Sequence, residues 1–89
     1  MENSPLPPTV GDQTRLVLEN TRAILTEAGS GLEHVLQMTV YVSQPEHWGE
    51  VNEAYAEVMG AHKPARAVVP VTSLHGGAAL EVQVVARVP

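Results

Sequence analysis

The sequence predicts an α+β domain in which two helices cover one face of a small sheet, in the order α-β-α-β-β. Three observations predict it. Residues 35–43 alternate apolar and polar side chains, the period of a strand with one face in the core. Residues 12–28 and 45–59 repeat apolar positions at helical spacing and then meet glycine, a common helix stop. Residues 66–72 and 79–88 are two further strand-like runs joined by a turn-forming segment.

The elements follow in chain order. Residues 1–11 (MENSPLPPTVG) hold three prolines and little periodicity, which predicts an extended, mobile arm before a single domain over residues 12–89. Asp12 suits the N-cap of a first helix running to about Ala28, with Val17, Thr21, Ile24, Leu25 and Ala28 as its inward stripe. Gly29 and Gly31 end it, and Ser30 with Glu33 matches a capping box for a following single turn. In the first strand, Leu36, Met38, Val40 and Val42 share the core face, and Gln37, Thr39, Tyr41 and Ser43 the other. Pro45 suits a first helical position. The second helix then runs to about Met59, burying Trp48, Val51, Tyr55, Val58 and Met59, and Gly60 stops it. Pro70 lacks an N–H and so places its strand at an edge or a bulge. Gly76-Gly77 predicts a hairpin between the last two strands.

Composition narrows the function. Eighty-nine residues make one small domain, and a chain this short buries only about 60–65% of its unfolded surface. There is no cysteine, hence no disulfide framework and no thiolate chemistry. No apolar run approaches the roughly 18 residues of a membrane span, and the start lacks a signal pattern, so the cytoplasm is the expected compartment. The net charge of −5 and only three aromatic residues, Tyr41, Trp48 and Tyr55, argue against a nucleic-acid partner, which needs a basic face and stacking platforms. The four histidines show no metal-ligand spacing.

The chemistry-bearing residues lie late in the chain. Lys63-Pro64-Ala65-Arg66 is followed by Glu81 in an apolar run. An arginine fork suits a substrate carboxylate because its planar donors pair with both oxygens at once. A nearby glutamate can hold or activate a water. Their placement on two neighbouring C-terminal strands would make a small site for an anionic metabolite. From position alone, Arg66 reads equally as a solvated charge, Glu81 as a solvent-facing strand carboxylate, and Asn52 as a helix-surface amide. A turn by itself accounts for Gly76-Gly77, and helical spacing places Tyr55 in the core.

As an ordered set, residues 13–29 (QTRLVLENTRAILTEAG), 50–55 (EVNEAY), 64–66 (PAR) and 80–86 (LEVQVVA) resemble the Rid, or reactive-intermediate deaminase, family, also called YjgF/YER057c/UK114. The resemblance runs from about Asp12 to Val88. It implies the chorismate-mutase-like α+β fold, in which three subunits pack their sheets into a barrel, with sites between subunits. Outward residues Thr39, Tyr41, Gln83 and Val85 would then be covered by neighbours. It further implies hydrolysis of 2-imino and 2-enamino acids to 2-oxo acids and ammonia, without metal or cofactor. In that reaction Arg66 would bind the carboxylate, Glu81 would position water, Asn52 would shape the pocket, and the Gly76-Gly77 loop would border it. Some members have carried a ribonuclease label, which nothing in these residues supports.

The chain also departs from the family. The family's opening strands, with a GPYSQ-like turn and an SGQ-like segment supplying a pocket tyrosine and serine, have no counterpart in residues 1–11. The family's PARSC reads here as Pro64-Ala65-Arg66-Ala67-Val68, so Val68 stands where the pocket cysteine would be. A missing first strand would also leave a sheet edge exposed. These departures keep open an alternative: a non-catalytic module of the same fold that binds small carboxylates or assembles into an oligomer.

Overall fold

The computed structural model describes residues 6–89. Helix α1 (Val10–Glu27) leads into a short 3₁₀ turn (Leu32–His34) and strand β1 (Val35–Val42). A second 3₁₀ turn (Pro45–His47) runs into helix α2 (Trp48–Met59), followed by β2 (Ala65–Pro70), a third turn (His75–Gly77) and β3 (Leu80–Ala86). The order is the α-β-α-β-β that the periodicities predict, with the three strands in one sheet of order β2-β1-β3.

The strand pairing corrects one expectation. No hairpin joins β2 and β3; β1 lies between them, parallel to β2 and antiparallel to β3. The reason lies in what β3 has to bury. Its register sets Leu80, Val82 and Val84 beside Val42, Val40 and Met38, and the core side chains of β1 are almost fully buried. On the far side of β2, the same apolar set would lie beyond the cover of α1, which packs on β3. The Gly76-Gly77 turn, with both φ angles positive (69° and 74°), therefore reverses the chain without pairing its flanking strands. β2 sits at an edge, as Pro70 requires.

Three local readings also change. The N-cap of α1 is Thr9, whose hydroxyl accepts from the Asp12 amide at 3.1 Å. Asp12 lies in the first turn, where a carboxylate complements the helix dipole, and takes a 2.8 Å bond from Arg15. The earlier start is anchored by α2, since the Gly11 amide donates to Glu50 Oε2 at 2.9 Å. The buried face of the helix is correspondingly turned: Gly11, Thr14, Leu18 and Leu25 are buried, Val17 and Thr21 are partly so, and Ile24 is 68% exposed. Ala28 lies past the helix end and is exposed. Ser30 does not form a capping box; its hydroxyl donates to the Arg87 carbonyl at 2.7 Å, and the following turn has no side-chain cap.

In β1 the register against β3 shifts between Val35 and Gln37. The irregularity resets the alternation, as an extra residue in a ladder does. Val35 is thus inward and Leu36, expected in the core, is exposed, while Met38, Val40 and Val42 face inward as read. In α2, Val51, Ala54, Tyr55 and Met59 are buried, Trp48 and Val58 are partly so, and Gly60 ends the helix at φ 62°.

Met38 lies at the centre of the sheet with no exposed surface. Met38→Ala is expected to destabilise the fold by about 2–5 kcal/mol through lost transfer energy and a residual cavity. Urea titration followed by circular dichroism measures this as a lower midpoint at constant slope.

The opposite face of the sheet is covered by none of the described elements. Thr39 and Tyr41 of β1, Ala67 and Val69 of β2, and Glu81, Gln83 and Val85 of β3 share it by register. Tyr41 donates its hydroxyl to Gln83 Oε1 across the strands at 3.1 Å. Glu81 is the one charge among these seven residues.

Candidate functional site

The site is built on one stripe of α2. Trp48, Asn52 and Tyr55 stand at i, i+4 and i+7, which places them on one helix face over two turns. Arg66 reaches that stripe from β2. Its sheet partner is Met38, a core-facing residue, so Arg66 projects to the helix side of the sheet. Being at the edge, it clears the core and lies against α2. Its guanidinium carbon is 4.4 Å from the Tyr55 ring centroid and 4.8 Å from that of Trp48.

Around this group is an open cavity of about 370 Å³, lined by Asn52, Tyr55, Met59, Lys63, Pro64 and Arg66 among others, with no carboxylate in its wall. Arg15 is paired with Asp12 and Glu57, and Arg22 with Glu19. Among the described residues no acidic side chain pairs with Arg66. A chain of net charge −5 therefore presents two of its five cations, Lys63 and Arg66, to one cavity. The arrangement suits a small anion. The Tyr55 hydroxyl is buried without a hydrogen-bond partner. Burial raises its pKa, and the Arg66 charge acts in the opposite direction.

Asn52 and Arg66 are thus brought together. Glu81 is not brought to them. Its sheet partner is Tyr41, so it is on the opposite face, and β1 separates its strand from that of Arg66. Three residues along β1 and one strand spacing on each side put the two Cα atoms roughly 14 Å apart. The expectation of neighbouring strands is therefore corrected: within one chain the fork and the carboxylate do not converge. Glu81 instead borders a shallow depression of about 470 Å³ with His75, Asn20, Thr21 and Ile24. Gly76 and Gly77 lie in the turn leading to that end of β3 and do not line the Arg66 cavity.

Trp48 and Tyr55 are the site residues that the sequence reading assigned to packing alone. Their signal is the i, i+7 aromatic spacing with an amide at i+4 between them. It is ambiguous by itself, because the same spacing describes any buried helix face.

The chain matches the family model described as Endoribonuclease L-PSP over residues 1–88. It belongs to that family. Its relatives include the RutC family protein PH0854 of Pyrococcus horikoshii, 43% identical over 77 residues, covering 86% of this chain and 61% of that protein. The Escherichia coli protein named "Putative reactive intermediate deaminase TdcF" is 33% identical over 84 residues, covering 91% of this chain and 65% of its own length. The chain thus spans between about two fifths and two thirds of the length of the curated relatives it matches. The solved structure of E. coli TdcF with bound serine superposes with a TM-score of 0.89 at 32% identity, covering 94% of this chain and 68% of that one. Yeast Mmf1 superposes with a TM-score of 0.90, also at 32% identity, covering 94% and 67%. The L-PSP family member described here therefore has the YjgF-like α+β fold that its motifs imply.

Proposed function

We propose that this family member hydrolyses reactive 2-imino and 2-enamino acids to 2-oxo acids and ammonia. The observation that carries the reading is Arg66: a guanidinium without a carboxylate partner among the described residues, beside Asn52 in a cavity whose wall holds no acid. The deaminase name carried by TdcF and the serine bound in its structure support an amino-acid-derived carboxylate as the ligand.

The chemistry asks little of the protein. A protonated imine, R–C(=NH₂⁺)–COO⁻, is already electrophilic at C2. Arg66 holds the carboxylate through paired N–H donors. Glu81 takes a proton as water adds to C2, giving a carbinolamine. The amino nitrogen then takes that proton back from Glu81 and leaves as ammonia while the C2 hydroxyl gives its own proton to Glu81 and becomes the carbonyl of the 2-oxo acid. The released ammonia carries this last proton away as ammonium. Positioning and general acid–base help suffice. The opposite placement of Arg66 and Glu81 in one chain requires that a site using both draw them from two subunits. We assign the outer sheet face, with its single carboxylate, to that contact, in a homotrimer. The proposed compartment is the cytoplasm; no helix among the described residues is long and apolar enough to cross a membrane, and the yeast relative MMF1 is named as mitochondrial.

The test is a competition assay. An amino-acid oxidase generates 2-iminopropionate in the presence of semicarbazide, and the protein is added at its measured oligomeric state. Diversion of imine to pyruvate lowers the initial rate of semicarbazone formation. No effect from folded protein would refute the catalytic reading. A second reading, binding without turnover, is favoured by Val68 in the cysteine position. Saturable binding of 2-oxobutyrate together with an inert competition assay is its signature.

A further inference from the structure

We infer that Trp48 and Tyr55 are positioning residues, an aromatic clamp that orients Arg66 so that its in-plane donors are presented edge-on to a planar carboxylate. This deepens the proposed function and rests on Arg66 being the anion-binding group. Their Cα atoms are two turns apart on α2, a rise of about 10.5 Å along the helix axis, and both rings lean in to the same guanidinium. The guanidinium carbon lies over both rings, 4.8 Å from the Trp48 centroid and 4.4 Å from that of Tyr55. A cation over an aromatic face is attracted by the ring quadrupole. Contact with two rings restrains the guanidinium from the helix side, and the N–H donors turned away from the rings are the edge a carboxylate uses in a two-point pair.

The clamp solves a problem set by the position of Arg66. It is an exposed residue on an edge strand whose six residues are all exposed. An unrestrained arginine there loses several rotamers on binding an anion, which weakens affinity by about 2- to 12-fold. The helix side chains remove that loss beforehand. Asn52, at i+4 between Trp48 and Tyr55 in the helix, lines the same cavity as Arg66. The geometry also selects ligand shape: a flat carboxylate meets the donor edge with two oxygens, whereas a tetrahedral anion uses the fork less fully.

The test combines binding, kinetics and a spectroscopic signature. Calorimetric titration with 2-oxobutyrate is run on wild type, Trp48→Leu, Trp48→Phe and Arg66→Ala. Trp48→Leu is expected to weaken binding about tenfold, from one lost ring contact and the freed side chain. It should raise KM by the same factor with kcat within twofold, and Trp48→Phe should return binding to within about threefold. In the wild-type NMR spectrum, Arg66 side-chain protons, assigned through Arg66→Lys, are shifted upfield by the rings; in Trp48→Leu the shift shrinks. Binding by folded Trp48→Leu within twofold of wild type overturns the clamp. Unshifted Arg66 protons in wild type overturn it even if Trp48→Leu does not fold. Undiminished binding by Arg66→Ala overturns the underlying assignment of Arg66 instead, so the two failures are distinguishable.

Discussion

Arg66→Ala is expected to lower kcat/KM for 2-iminopropionate by at least about 100-fold while leaving the far-UV circular dichroism spectrum unchanged. A hydrogen-bonded charge pair contributes about 1.5–3 kcal/mol, and loss of its orienting effect on C2 adds to that. The fold should tolerate the change, because Arg66 is exposed on an edge strand and no described acid depends on it. What is lost structurally is its stacking on Trp48 and Tyr55. Arg66→Lys keeps the charge but loses the planar fork, so its rate should fall between wild type and alanine. The initial rate of semicarbazone formation reads all three. An Arg66→Ala rate equal to wild type would remove Arg66 from the site.

The second large effect comes from the separation of Arg66 and Glu81. Glu81→Gln is expected to reduce turnover about 10²- to 10⁴-fold, the range for loss of a positioned general base. Arg66→Ala and Glu81→Gln should each be nearly inactive alone. Refolded together in equal amounts, they should recover about a quarter of wild-type activity, because chance assembly in a symmetric oligomer pairs an intact Arg66 with an intact Glu81 at one interface in four. The opposite faces and opposite strands occupied by the two side chains are the basis for this expectation. Mixed oligomers, verified by mass, that stay inactive would show that no functional site combines the two residues across subunits.

The parts of the fold that were legible are those set by local periodicity. The alternation from Met38 to Val42 survives unchanged in β1, because one face of that strand lies in the core that it shares with residues of both helices. Gly60 stops α2 with a positive φ that side-chain-bearing residues avoid. Pro70 marks an edge strand. The motif set around Arg66 identified the family, and Asn52 and Arg66 line one cavity.

Illegible features involve a choice between partners. The inward face of α1 differs from its local periodicity by part of a turn, because it packs on α2 and β3, elements far away in the chain, with Glu50 holding the Gly11 amide across 39 residues. Leu36 was placed in the core because nothing near it in the chain announces the register shift at Val35–Gln37. Trp48 and Tyr55 were read as packing because the arginine over both rings comes from a different element.

By itself, then, the sequence determined the number, type and order of the elements, the helix stop, the edge character of β2 and the family. These depend on side-chain period, backbone freedom at glycine and proline, and an ordered set of motifs. Only the tertiary structure decided that β1 lies between β2 and β3, that Arg66 is stacked on α2, and that Glu81 faces away from it. Pairing energy along a strand is much the same whichever neighbour supplies it; burial of Leu80, Val82 and Val84 beneath α1 selects the partner, and that selection sends the two candidate charges to opposite faces of the sheet.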